Sequence, residues 1–166
     1  MVRHFMLAAT YLKLLGKFEQ GVGKLKGDLA SSIGVGYETG GGWHDNALFE
    51  SSLMDQKVLA HNLAELSELL NRPIFIDDLE IDGDTVSIGT EIVIERTNGE
   101  GAKQEHYLVL GPADARVRDD VLPYTSPLFK AIMGKRAGDQ VAAEFPGGMA
   151  TVRIISVRPL ADLRAP

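Results

Sequence analysis

Glu38, Asp45 and Asn46 bracket the run Gly34-Val-Gly-Tyr-Glu-Thr-Gly-Gly-Gly-Trp-His-Asp-Asn46, which with Ala47 to Glu50 holds five of the chain's 18 glycines and its only Trp. Glycines near acids suggest two chemistries, a phosphate cradle or a carboxylate offered to a metal. A phosphate loop needs a Lys and a Ser/Thr after its glycines, at a strand-to-helix junction. Here Trp43, His44 and Asp45 follow the glycines, and the residues before them have helical spacing. The phosphate cradle is therefore set aside. Asp45 and Asn46 stand where a second helix begins, so either can cap it by accepting free backbone N–H groups. The same carboxylate can also serve chemistry at the end of a long arm.

Other catalytic signatures are weak. His4, His44, His61 and His106 are scattered, without a zinc-ligand spacing. No segment resembles a nucleophile elbow. Asp77 to Asp84 is acidic but lacks the spacing and terminal Glu of a calcium loop, and reads as a solvated linker. There is no Cys, which removes disulfides and thiolate metal sites and fits a reducing, cytoplasmic setting.

The elements that must position the acids follow from periodicity. Ala8, Tyr11, Leu15, Phe18, Val22, Leu25, Leu29 and Ser32 alternate spacings of three and four, which predicts a helix over 8–33. Gly16, Gly21, Gly23 and Gly27 lie off this seam. Phe49, Leu53, Gln56, Leu59, Leu63, Leu66 and Leu70 repeat the pattern, predicting a helix over 46–70 that Pro73 stops. The pair reads as an antiparallel two-helix coiled coil with the glycine-rich stretch as its turn.

After residue 74 the period changes. Strands are expected at 86–96, 105–110, 140–145 and 149–157, with turns at Asn98-Gly99 and Pro146-Gly147-Gly148. One short helix has clear punctuation: Ser126 as N-cap, Pro127 at its first position and Gly134 as its stop. The fold class is thus α+β. A helical hairpin occupies 1–76, an acidic linker 77–83, and an antiparallel sheet with one helix 84–160.

Composition limits the partners. The net charge of −6 excludes bulk attraction to nucleic acid. Residues 1–76 hold seven Lys/Arg and eight Asp/Glu, whereas 77–166 hold ten and fifteen. The apolar run after Met1 is broken by Lys13 and Lys17, so it reads as the start of a helix rather than a signal peptide. No membrane association is expected.

Four ordered segments of the second half resemble the bacterial Gre transcript-cleavage factors: Val86-Ser-Ile-Gly-Thr-Glu-Ile-Val93, Ser126-Pro-Leu-Phe-Lys-Ala-Ile-Met-Gly-Lys135, Gly138-Asp-Gln-Val141 and Pro146-Gly-Gly148. The matching family segments are a strand with a central Gly, SPIARALIGK, GDEV and PGG. The family's tip, GDLKENAEY, is similar to Gly41-Gly-Trp-His-Asp-Asn-Ala-Leu-Phe49. The resemblance implies a coiled-coil finger followed by a domain like that of the FK506-binding proteins. It implies docking of that domain on RNA polymerase, with Ser126 and Pro127 in the contact, and entry of the finger into the secondary channel. It implies no catalytic residues and no cofactor of its own. Tip acids would instead help hold the polymerase's second Mg²⁺, so that the polymerase hydrolyses backtracked RNA.

This tip departs from the pattern. One family acid aligns with Asp45, but the other aligns with Gly42, and Trp43 and His44 make the tip bulkier. Glu38 is the nearby acid that would replace it if the loop folds back. The expectation is a polymerase binder, monomeric when acting, that modulates elongation with weak or absent stimulation of cleavage. Asp45 is the expected Mg²⁺ contact. Glu38, Gly42, Trp43, His44, Asp45 and Asn46 form the tip. Lys13, Lys17, Lys24 and Lys26 are the basic residues expected to face the nascent RNA 3′ end. The alternatives are an active cleavage factor and, in a different class, a prolyl isomerase or chaperone built on the second half.

Overall fold

The computed structural model describes residues 4–38, 46–99, 101–145 and 147–160. It divides into two units, Tyr11–Asn71 and Met1–Thr10 with Arg72–Pro166.

The first unit is helical. Helix α1 spans Ala8–Glu38 and helix α2 spans Asn46–Leu70. On α2 the expected seam holds along most of its length: Gln56, Leu59, Leu66 and Leu70 are half-buried and Leu63 is buried, although Leu53 is exposed. On α1 the covered stripe is wider than a heptad seam. Tyr11, Leu15, Phe18, Val22 and Leu25 are half-buried, whereas Leu14, off the seam, is fully buried. Gly21, read from sequence as off the seam, faces α2: a Cβ there would lie 2.6 Å from Leu63 Cδ2. A broad apolar face is what a helix needs against a close neighbour, and glycine permits the approach. α1 also runs five residues beyond the expected end at 33. Gly34 and Gly36 are therefore helical and do not belong to the turn. α2 ends as read, before Pro73, with Arg72 in the left-handed region at φ 53°. That position usually favours Gly.

The second unit is built on a five-stranded sheet in the order β5-β4-β3-β7-β6. Its strands are β3 (Thr90–Asn98), β4 (Gly101–Leu110), β5 (Val121–Pro123), β6 (Gln140–Phe145) and β7 (Gly148–Pro159). The pairs β3–β4, β3–β7 and β6–β7 are antiparallel, but β5 joins β4 in parallel, so the expected antiparallel sheet is mixed at one edge. Helix α3 (Pro127–Ile132) supplies Leu128, Phe129 and Ile132 to a core with Ile92, Ile94, Val109, Val152 and Ile154. Alternation along β4 sends Leu108 and Leu110 into a second cluster with Leu7, Ile76 and Val121.

That second cluster redraws the unit boundary. Strand β1 (Phe5–Met6) pairs in parallel with β2 (Ile74–Phe75), and Ile76 is fully buried. Residues 4–10 and 72–76, grouped from sequence with the helical hairpin, therefore belong with the sheet. The 77–83 segment is not simply a solvated linker, since Asp77 Oδ2 accepts a hydrogen bond from Ala8 N at 2.7 Å. Two-residue strands carry no readable period, which is why pattern alone missed them.

Gly111 is where β1 and the β4–β5 connection meet most closely: a Cβ there would collide with the Phe5 carbonyl oxygen. Backbone on both sides leaves no room to yield. Gly111→Ala is expected to cost more than about 2 kcal/mol in urea unfolding. Gly99→Ala, where an added methyl meets nothing within 4 Å, is expected to stay within about 0.5 kcal/mol of the parent.

Candidate functional site

The best-defined candidate surface is around α3. Ser126 is its N-cap, with extended backbone, and Ser126 Oγ accepts from Phe129 N at 3.2 Å. Pro127 takes the first helical position, where a missing N–H costs nothing. Gly134, at φ 73°, ends the helix, and its N–H donates to Val86 O at 2.9 Å. Val86 N in turn donates to Lys135 O at 2.8 Å, and Arg136 N donates to Asp139 Oδ2 at 2.9 Å. Both ends of this short helix are thus fixed by hydrogen bonds. Its outward side shows Pro127, Lys130 and Met133, the last 61% exposed, and Lys135 and Arg136 follow on the surface. Ser126 and Pro127 were singled out from sequence. Met133 and its basic neighbours were not, although an apolar residue three positions after Lys130 was the available signal.

The other sequence-predicted residues are placed less completely. Glu38 is the last residue of α1 and Asn46 the first of α2. Gly42, Trp43, His44 and Asp45 lie outside the described residues, as do the surroundings of the Glu38 and Asn46 side chains. Lys13, Lys17, Lys24 and Lys26 are all exposed on α1. At about 100° per residue, the first three fall within roughly 40° of each other, whereas Lys26 projects from the opposite side. The helix therefore assembles three of the four into one basic line.

A second polar centre holds the start of α1, and sequence reasoning missed it. Asp114 is fully buried, with Oδ1 accepting from Leu7 N at 3.1 Å and Oδ2 from Gly111 N at 2.9 Å. The Thr10 side chain also bonds to it. Burial pushes the Asp114 carboxyl above the usual aspartate range, against the lowering effect of these hydrogen bonds. Asp77, whose charge also raises it, caps Ala8. The centre is structural in geometry, because its carboxylates accept from backbone N–H groups at the start of α1 and just after β4.

The aromatic residues that a prolyl-isomerase pocket would need each have a partner within the sheet unit. Phe129 lies in the core, and Tyr124 meets Phe5 edge-on with ring centroids 5.7 Å apart. Arg96 sits 4.9 Å from the Phe145 ring centroid and donates to Glu105 at 2.8 Å. Tyr107 donates to the same carboxylate at 3.2 Å. Burial, then the Glu105 charge, pushes the Tyr107 phenol up. Each of the four aromatic side chains thus has its main contacts within the sheet unit. Among the described residues, no three His, Asp or Glu side chains converge as a metal site, and no helix is long and apolar enough to cross a membrane.

Residues 81–159 match the family model described as "Transcription elongation factor, GreA/GreB, C-term". The chain is 32% identical over 114 residues to transcription elongation factor GreA of Acidiphilium cryptum (strain JF-5), covering 69% of this chain and 71% of that protein. It is 25% identical over 157 residues to transcription elongation factor GreA of Shouchella clausii (strain KSM-K16), covering 94% and 97%. Among solved structures, GreA factor homolog 1 (Gfh1) of Thermus thermophilus aligns over 95% of this chain and 99% of its own, at 21% identity and a TM-score of 0.41.

Two expectations follow from this geometry. Ser126→Ala removes the cap of α3 and should cost about 1 kcal/mol in thermal or urea unfolding. For Asp114, the folded-state pKa is raised, so the native state binds more protons than the unfolded chain in the intervening window. Its stability contribution is therefore fullest below the ordinary aspartate value and falls as pH rises through the raised one. Urea melts of parent and Asp114→Asn from acid to neutral pH should show the parent's advantage shrinking as pH rises.

Proposed function

The chain belongs to the GreA/GreB family of transcription elongation factors, and from that premise we propose that it binds RNA polymerase through the secondary channel and modulates elongation with weak or absent stimulation of transcript cleavage. One observation carries the second half of this reading: Gly42 occupies the position where the family's tip motif has an acid. Two-metal hydrolysis needs anionic oxygen ligands around the less tightly held ion. Losing one carboxylate removes a negative charge and up to two ligand oxygens, leaving Asp45 as the aligned acid. The Mg²⁺ in question is the polymerase's, so the factor is not itself the catalyst.

Docking is assigned to the α3 surface. Ser126 and Pro127 match the family's contact segment, and the fixed helix ends favour recognition with little ordering cost. The single basic line of Lys13, Lys17 and Lys24 supports an electrostatic contact with a nucleic-acid backbone. On this reading Lys26 is not part of that contact.

The test is RNA shortening in stalled elongation complexes, preceded by co-purification with polymerase. The chain should co-purify, and Pro127→Asp should weaken that association at least tenfold without unfolding the sheet unit. Cleavage should be within about twofold of the factor-free rate. Restoring the acid as Gly42→Glu should raise it, whereas robust cleavage by the parent, abolished by Asp45→Ala, would overturn the non-cleaving assignment.

A further inference from the structure

We infer that the two arms of the helical unit are mechanically unequal: α1 is a yielding arm, opening locally around residues 16–28 while α2 holds, and this yielding is used when the unit engages polymerase. The second clause rests on the function proposed above. α1 contains six glycines and α2 none. Gly21 is accounted for by its approach to Leu63. Gly16, Gly23 and Gly27 are not accounted for by packing: a Cβ at each meets nothing within 4 Å, and none has a positive φ. The sheet unit treats glycine differently. Gly89 and Gly134 have positive φ, and Gly111 lies against the Phe5 backbone.

Replacing an interior helical Ala by Gly weakens the helix-forming equilibrium about fivefold, so three such sites amount to roughly a hundredfold. Packing does not compensate in the same stretch. Beyond Leu14, the described apolar side chains of α1 are half-buried at Leu15, Phe18, Val22 and Leu25 and exposed at Ala30. Weak propensity and shallow burial together are the conditions for local opening below the global unfolding free energy. An uncovered glycine also exposes its peptide groups to competing hydrogen-bond partners, water or, at Gly27, the Ser31 hydroxyl that donates to Gly27 O at 2.9 Å, and this eases the lengthening of hydrogen bonds that accompanies helix bending. α2 is packed to a similar depth, with Leu63 buried and Gln56, Leu59, Leu66 and Leu70 half-buried, so its freedom from glycine is what distinguishes the two arms.

Hydrogen exchange on the full chain tests the first clause. Amides of residues 16–28 should exchange at least about tenfold faster than those of 56–70. In the triple variant Gly16→Ala/Gly23→Ala/Gly27→Ala, exchange over 16–28 should slow by up to about a hundredfold. Equal exchange in the two arms of the parent overturns the inference. The same variant in an elongation assay tests the second clause. Retained co-purification with an altered effect on elongation supports it, and a parental effect from the stiffened arm overturns it. If the parent itself has no effect on polymerase, the proposed function fails and the second clause falls with it. The exchange comparison still decides the first.

Discussion

A backbone N–H removed from water must find an acceptor, and the first turn of α1 meets this demand with carboxylates distant in sequence. Asp114 takes the Leu7 and Gly111 amides together, and Asp77 takes that of Ala8. The two donors to Asp114 follow different strands, β1 and β4, so one buried side chain ties the N-terminal segment to the β4–β5 connection. The parallel pairing of β1 with β2, the close approach at Gly111 and the second apolar cluster all need this register. A buried carboxylate facing only apolar atoms would be costly. Facing converging N–H groups, it fixes a single arrangement.

Local signals were legible in the sequence. Ser126, Pro127 and Gly134 gave α3 its bounds because capping and turn chemistry act within a few residues. Strand β6 was read in full, and the α2 seam held because Leu59, Leu63 and Leu66 recur on one face. Long-range choices were not legible. β1, β2 and β5 are two or three residues long, too short for a period, and exist because a distant partner supplies the hydrogen bonds. Gly34 and Gly36 looked like turn residues, yet the helix passes through both. The site divides the same way. The cap at Ser126 was visible in sequence, whereas Asp114 in a Gly-Pro-Ala-Asp turn was indistinguishable from any exposed loop acid.

Several polar side chains of the sheet unit are paired with one another rather than left to solvent. Arg96, Glu105 and Tyr107 bond to one another around Phe145, and Arg118 closes on Asp120 with two hydrogen bonds of 2.9 and 2.7 Å. Such a unit is suited to being a stable support, with recognition left to exposed groups at its surface. Met133, Lys130 and Pro127 fit that division, since an apolar contact ringed by cations combines burial with steering. On the function proposed above, the chemistry offered to the polymerase is concentrated in the few residues that join α1 to α2 in the sequence. Single replacements there can retune activity while the support remains unchanged.

The sheet unit is drawn from two stretches of sequence, residues 4–10 before the helices and 72–160 after them, and this has a consequence for synthesis. Polypeptide emerges from the ribosome N-terminus first. β1 therefore waits for residue 74 before it has a strand to pair with, and the amide of Leu7 waits until residue 114 for its acceptor. The helical unit, whose residues are contiguous, can pair α1 with α2 earlier, since its contacts close a shorter span than the one between Leu7 and Asp114. Tethering of the segment before α1 is thus among the later steps of assembly, and a nascent chain halted between residues 77 and 114 would have the Ala8 amide capped by Asp77 but the Leu7 amide still without its acceptor.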